Sequence, residues 1–167
     1  MHPINGIPEE IAVFDYIYGV LHCPAYRGAY ADFLKIDFPR IPWPATPTEF
    51  WDVSAKGAEL RKLHLMDPAT IGPTPFPFTG NGDNTVDKPR LEDGKVWVNE
   101  TQYFDSAPAV SWDFYIGGYQ PAQKWLKDRK GRTLGIEDVR HYQRILKILA
   151  ETDRIMGTIT MTLAVPS

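Results

Sequence analysis

An α+β fold is predicted by three observations. Apolar residues recur at helical spacing near both ends of the chain. Asp93-Gly94 separates two short stretches of strand-like alternation. A Pro- and Gly-rich stretch over residues 67–84 divides the helical first half from that hairpin. The layout that follows is N-terminal helices, a small antiparallel sheet with long loops, and two C-terminal helices.

Pro8-Glu9-Glu10 opens the first helix, with carboxylates where the helix dipole favours them. Ile11, Phe14, Ile17, Tyr18 and Leu21 follow at 3.6-residue spacing up to His22-Cys23-Pro24 and read as its inward face. A second helix is predicted over Ala25 to Lys35, burying Tyr26, Tyr30, Phe33 and Leu34. Phe38 to Pro44 holds three prolines and must be extended, because each proline restricts itself and the residue before it. Thr48 is a candidate cap for a third helix whose apolar face is Phe50, Val53, Leu60 and Leu63, running to the 64–66 segment.

Residues 67–84 read as a loop, long enough in a compact domain to be functional or mobile. Thr85–Glu92 and Lys95–Asn99 flank Asp93-Gly94 as a hairpin, and Thr101–Phe104 adds a third strand. A short helix or turn at Ala107–Val110 leads into the aromatic run Trp112-Asp113-Phe114-Tyr115-Ile116, then Gly117-Gly118. Pro121 suits the first turn of a helix that turns Ala122, Trp125 and Leu126 inward. Gly135-Ile136-Glu137-Asp138 begins a long helix through Met156, with Val139, Tyr142, Ile145, Leu146, Leu149 and Ile155 inward. Residues 157–167 read equally as an edge strand or a frayed tail.

The 167 residues suffice for one domain with a real core, and 1–167 is read as a single domain. With 43% hydrophobic and 13% aromatic residues the chain is globular rather than disordered. No apolar run approaches the roughly 20 residues of a membrane span, so no membrane partner is expected. The first residues lack the charged and apolar regions of a signal peptide. One cysteine, Cys23, makes no internal disulfide, which fits a reducing cytoplasm. The net charge of −3 excludes a strongly basic nucleic-acid binder, yet residues 119–147 hold eight Lys+Arg against three Asp+Glu, a local +5. That cluster, Lys124, Lys127, Arg129, Lys130 and Arg132, can seat a polyanion or simply form a solvated helix end.

Catalytic signatures are missing. None of the eight glutamates has a lysine two places on, so the acidic-spacer-Glu-x-Lys nuclease pattern is absent. There is no polar-Pro-Pro-aromatic loop of the kind that grips a flipped base for methylation. Gly80-Asn81-Gly82 lacks the strand and helix that a phosphate loop requires. His2, His22, His64 and His141 have no second ligand at zinc spacing, and Cys23 has no recognisable base. No metal or cofactor is implied.

Three ordered segments carry a resemblance: Phe14 to Arg27, Phe33 to Pro42, and Trp112 to Arg132 continuing into Asp138–Ile145 and Glu151-Thr152-Asp153. Over about residues 9–156 the chain resembles the C-terminal specificity domain of type ISP and related single-chain restriction-modification enzymes. The resemblance implies a target-recognition module that binds double-stranded DNA without catalysis of its own. In the family it serves an adenine-N6 methyltransferase and an endonuclease portion, which would be its protein partners. A chain holding only this tail is expected to be a truncated product, a separate subunit or an excised domain. Residues 157–167 lie outside the resemblance.

Under that reading Lys124, Lys127, Arg129, Lys130 and Arg132 contact phosphate. The 67–84 loop and the 93–94 and 99–103 turns are the places for base readers, since loops on a rigid scaffold carry specificity; Asn99 and Gln102 are candidates to pair with adenine and Arg90 with guanine. Trp97, Trp112, Trp125 and the other aromatics of 112–119 are assigned to the core. The alternative is a protein-interaction module that docks onto a methyltransferase or onto a second copy. Its acidic N-terminal half and the Pro-aromatic segments 38–44 and 73–78 would make the contact. A small hydrolase is a third reading, without a visible cluster of titratable groups.

Overall fold

The computed structural model describes residues 8–36 and 39–163. Among them the elements run α1 (Glu10–His22), α2 (Pro24–Ala29), α3 (Ala31–Ile36), α4 (Pro47–His64), α5 (Pro68–Ile71) and β1 (Phe78–Thr79). After these come β2 (Arg90–Glu92), β3 (Lys95–Trp97), β4 (Tyr103–Phe104), α6 (Ala109–Asp113), α7 (Pro121–Lys127) and α8 (Ile136–Met156). The class is α+β, as the sequence predicts. Two compact units divide the chain: Met1–Thr70 with Thr152–Ser167, and Ile71–Glu151.

The first unit is built on α1 against α4, and two glycines decide how. A Cβ on Gly57 would overlap the Asp15 carbonyl, and one on Gly19 would lie 2.5 Å from the Val53 carbonyl oxygen. The helices therefore meet through Asp15, Tyr16, Gly19 and Val20 on α1 and Val53, Ser54, Gly57 and Leu60 on α4. This corrects the predicted inward face of α1. Ile11, Phe14 and Ile17 are exposed, at 48%, 51% and 37%. Apolar residues occupy nearly every side of this helix, so their period cannot choose a face; the glycines can. Asp15, though buried, is met by Arg61, whose Nε and Nη2 donate to its two carboxylate oxygens at 2.7 and 3.3 Å.

The second predicted helix is interrupted at Tyr30, giving α2 and α3. Tyr26 is buried there, while the side chain of Phe33 lies outside the described residues. Of the proline-rich segment, residues 39–44 are described and free of helix, and Phe38 is outside the described residues. Buried tyrosines hold it: Tyr26 Oη donates to the Arg40 carbonyl at 2.9 Å and Tyr16 Oη to that of Pro42 at 2.8 Å. The cap of α4 is Thr46 rather than Thr48, because Pro47 takes the first helical position; Thr46 Oγ1 accepts from Glu49 N at 3.1 Å. After α8 the described tail forms no strand. Ile159 is buried, and its carbonyl lies 3.6 Å from Cys23 Sγ.

In the second unit the strands form one antiparallel sheet in the order β1-β4-β3-β2. Asp93 and Gly94, at φ 54° and 69°, make the predicted tight turn between β2 and β3. The strands are shorter than predicted. Thr85 makes only an isolated bridge, to Thr133, and the third strand is confined to Tyr103–Phe104. Residues 67–84, read as loop, contain α5 and β1.

Phe104, Val96 and Leu91 share one sheet face by register and join the core with Val86, Val98, Trp112, Ala122, Leu126, Leu134, Tyr142 and Leu146. Tyr142 Oη donates to the Ala122 carbonyl at 3.0 Å, and Ser111 Oγ to that of Leu146 at 2.6 Å, tying α6 and α7 to α8. Burial raises the Tyr142 phenol far above its ordinary range, so it remains a donor.

Candidate nucleic-acid interface

The positions proposed to touch DNA all lie in the second unit. There, three loops are tied together by side-chain amides. Gln102 Oε1 accepts from Asn84 N at 2.8 Å and from Asn99 Nδ2 at 3.0 Å, while Gln102 Nε2 donates to Asn84 Oδ1 at 2.7 Å. Asn99 Oδ1 accepts from Thr101 N and Gln102 N at 2.9 and 2.7 Å, and Asn99 Nδ2 reaches the Thr85 carbonyl at 3.0 Å. Asn84 Nδ2 donates to the Leu134 carbonyl at 3.1 Å. The end of the Pro/Gly-rich loop, the 99–102 turn and the 131–134 turn are thereby held as one scaffold.

Backbone bonds reinforce it. Val86 N donates to the Arg132 carbonyl at 3.0 Å, Gly131 N to that of Val86 at 2.8 Å, and Leu134 N to that of Asn84 at 2.9 Å. Residues 84–86 therefore run beside the turn that carries Lys130 and Arg132. That proximity spans some 50 residues of sequence and has no signal in spacing.

This network bears on two of the residues that the sequence offers as base readers. Gln102 is 3% exposed, and both the oxygen and the nitrogen of its amide bond within the loops. Asn99 is half-buried and bonded at both ends of its amide. Exposed polar side chains on the same scaffold are Asn81, Asp83, Glu100 and Thr101, which lie in the 67–84 loop and the 99–103 turn but were not singled out in the sequence. Hydrogen bonds from the Thr85 backbone and hydroxyl hold the Asp83 carboxyl below its ordinary range, so it stays ionised. Gly82, Asp83, Thr85, Asp87, Asn99, Glu100 and Thr101 surround a concavity of about 280 Å³.

Arg90 sits on the sheet face opposite the core. Its guanidinium lies 5.0 Å over the Trp97 ring, and its Nε donates to Glu92 Oε2 at 2.9 Å. Trp97 and Tyr103 face each other across strands at 4.6 Å, with the Lys95 ammonium 5.3 Å over Tyr103. Trp97, expected in the core, belongs instead to this half-buried outer face, because Val96 and Val98 take the inward positions.

The five basic residues are unequal. Arg129 stacks on Trp125 at 3.7 Å and donates to the Trp125 carbonyl at 2.9 Å, so it is half-buried. Lys124 pairs with Asp128 at 2.9 Å, both side chains 54% exposed. Lys127, Lys130 and Arg132 are exposed; Lys127 Nζ lies 3.4 Å from Gln123 Oε1. Burial, then the charges of Arg129 and Arg144, hold His141 below its usual range, keeping it neutral beside Trp125. Trp112 is buried as predicted, but Tyr115 and Tyr119 are exposed at 63% and 47%, against the assignment of these aromatics to the core, and Ile116 between them is exposed at 49%.

The first unit brings together two histidines that sequence spacing kept apart. Tyr18 Oη bonds His64 Nδ1, His64 Nε2 lies 2.8 Å from Thr152 Oγ1, and the His22 and His64 rings are 5.6 Å apart. Burial, then the charge of His22, holds His64 down at about 4. Burial also lowers His22, while the Tyr18 carbonyl 2.7 Å from its Nδ1 opposes that shift. Among the described residues no three His, Cys, Asp or Glu side chains converge as a metal site.

Comparison with known proteins gives a consistent picture of the fold. The family model described as the Type ISP C-terminal specificity domain matches residues 5–158. A chain in the cryo-EM structure of a DrdV–DNA complex is similar, with TM-score 0.74 and 23% identity over 94% of this chain and 18% of that one. A nuclease-deletion mutant of the Type ISP restriction-modification enzyme LlaGI, in complex with a DNA substrate mimic, gives 0.67 and 21% over 91% and 16%. The ATP-dependent Type ISP enzyme LlaBIII bound to DNA gives 0.68 and 16% over 94% and 12%. The chain thus spans less than a fifth of each of these. No curated protein matches it.

Proposed function

Since the chain belongs to the Type ISP C-terminal specificity domains, we propose that it binds duplex DNA and reads its sequence, leaving the chemistry to other portions of a larger enzyme. The observation that carries this is the amide-tied scaffold, which holds exposed polar side chains on two loops beside the turn bearing Lys130 and Arg132. Phosphate contacts come from Lys127, Lys130 and Arg132, joined by Lys124 once its partner Asp128 is exchanged for phosphate. Asn81 and Glu100 are the base readers, since an exposed amide suits adenine and a carboxylate accepts from cytosine, while Thr101 Oγ1 donates to the Asn81 carbonyl at 2.6 Å and braces that loop. Arg90 remains a candidate for guanine if it leaves Glu92. The partners are an adenine-N6 methyltransferase and an endonuclease portion, and the compartment is the cytoplasm. The single domain read from sequence is kept as the functional unit.

Binding is tested with a randomised duplex pool at low and moderate salt. The wild-type chain is expected to enrich one motif. Lys127→Ala/Lys130→Ala/Arg132→Ala should weaken binding to all duplexes and flatten the salt dependence, by up to about 0.9 in log–log slope for each phosphate no longer neutralised. Indistinguishable behaviour of the two proteins would remove these residues from the interface.

A second reading, docking onto a protein, is favoured by an apolar groove of about 510 Å³ in the first unit. Tyr16, Ile17, Trp43, Pro44, Phe50 and Trp51 line it, and Trp43 is 93% exposed. Co-elution with a separately expressed methyltransferase, abolished in Trp43→Ser/Ile17→Ser, distinguishes this contact from DNA binding.

A further inference from the structure

The turn between α6 and α7 gathers three exposed apolar side chains, Tyr115, Ile116 and Tyr119, within five residues. Ile116 and Tyr119 bond each other's backbones, Ile116 N to Tyr119 O at 2.9 Å and Tyr119 N to Ile116 O at 3.3 Å, closing a tight loop around Gly117-Gly118. Gly117 takes the left-handed conformation at φ 60°, which such a tip requires. The base of the loop is pinned, since Gln120 Nε2 donates to the Asp113 carbonyl at 3.3 Å and Gln123 Nε2 to that of Trp112 at 3.1 Å. Trp112 itself is buried in the core. Yet Tyr115, Ile116 and Tyr119 are about half exposed or more. The loop is an anchored finger whose Gly117-Gly118 tip is flanked by apolar side chains.

We infer that this finger is a wedge that enters a base step of bound duplex DNA, with Tyr115, Ile116 and Tyr119 set against the step around the glycine tip. This rests on the reading of the chain as a DNA-binding domain. Three features choose this occupant. Three side chains are too few for a stable protein interface, which buries about 800 Å² per partner, whereas one apolar wedge suffices to unstack a base step. The finger runs directly into α7, so the segment that is apolar around its tip is cationic within two helical turns, at Lys124 and Lys127, and continues to Lys130 and Arg132. Phosphate attraction therefore acts on the same segment. The pinned base lets the tip resist the stack rather than fold back.

The test uses the full chain and the duplex enriched from the randomised pool, with permanganate reactivity of thymines on both strands and 2-aminopurine fluorescence scanned along the site. Wild type should expose one step. Tyr115→Ser/Ile116→Ser/Tyr119→Ser should abolish that exposure and lower affinity tenfold or more, with the salt slope unchanged, because phosphate contacts are retained. The single variant Tyr115→Ser, at the most exposed of the three positions, guards against a folding defect in the triple variant; it should reduce the exposure. Wild-type binding with every base stacked, or variants with wild-type affinity and reactivity, overturns the wedge but leaves DNA recognition standing. A triple variant with a flattened salt slope also overturns it, since the finger would then merely position the lysines. Failure of the wild type to bind any duplex overturns both readings.

Discussion

Gln102 illustrates how a buried polar side chain can hold a loop surface together from within. Its amide closes three hydrogen bonds inside the loop scaffold, so Gln102→Leu would leave groups on Asn84 and Asn99 unsatisfied. We expect a loss of about 1–3 kcal/mol in urea denaturation, with the base preference of any residual binding unchanged. Altered preference at a single base would return Gln102 to the readers. His64 makes a different statement at this scale. Its pKa lies at about 4 in the folded chain against an ordinary 6.5, so the unfolded chain binds more protons in between. Stability is complete above about pH 6.5 and declines as pH falls toward 4. Partial exposure screens the effect, which should amount to about 1–2 kcal/mol. Comparing urea midpoints of wild type and His64→Asn at pH 7.5 and 4.5 isolates it: the gap between the two proteins should shrink or reverse at the lower pH.

Between elements, the α1–α4 crossing hinges on Gly57. Gly57→Ala places a methyl group against the Asp15 carbonyl, and separating the helices also strains the buried Asp15–Arg61 pair. A cost of about 3 kcal/mol or more is expected in thermal or urea unfolding. Gly28→Ala is the control, for a Cβ there meets nothing within 4 Å and α2 gains a better helix former. It should be neutral or slightly stabilising.

These elements also show what could be read in advance. The hairpin at Asp93-Gly94, the helix opened by Pro121 and the whole of α8 were legible because turn chemistry, a proline at the first helical position and a sustained stripe are local properties. The inward face of α1 was not, because it depends on two glycines 38 positions apart. The candidate site divides the same way. The basic cluster is visible as composition, but Arg129 over Trp125 and the burial of Gln102 are tertiary facts.

For the molecule as a whole, charge sets the scale of binding. The first unit holds seven Lys+Arg against ten Asp+Glu, and the second eleven of each. Under the proposed function, attraction to DNA is local to the α7 region, and the isolated chain should bind weakly and lose affinity steeply with salt. Tight, salt-insensitive binding in titrations between 50 and 200 mM salt (roughly the span over which phosphate-driven affinity falls most) would contradict this.

One further consequence follows from the division of the chain. The first unit is drawn from residues on either side of the second, and its Tyr18–His64–Thr152 chain and the Cys23–Ile159 contact join the two ends. During synthesis, α1 and α4 emerge early but must wait for Thr152 and Ile159. Residues 71–151 are complete before those partners leave the ribosome. The portion proposed to read DNA is thus an uninterrupted cassette, bounded by single crossing points at 70–71 and 151–152.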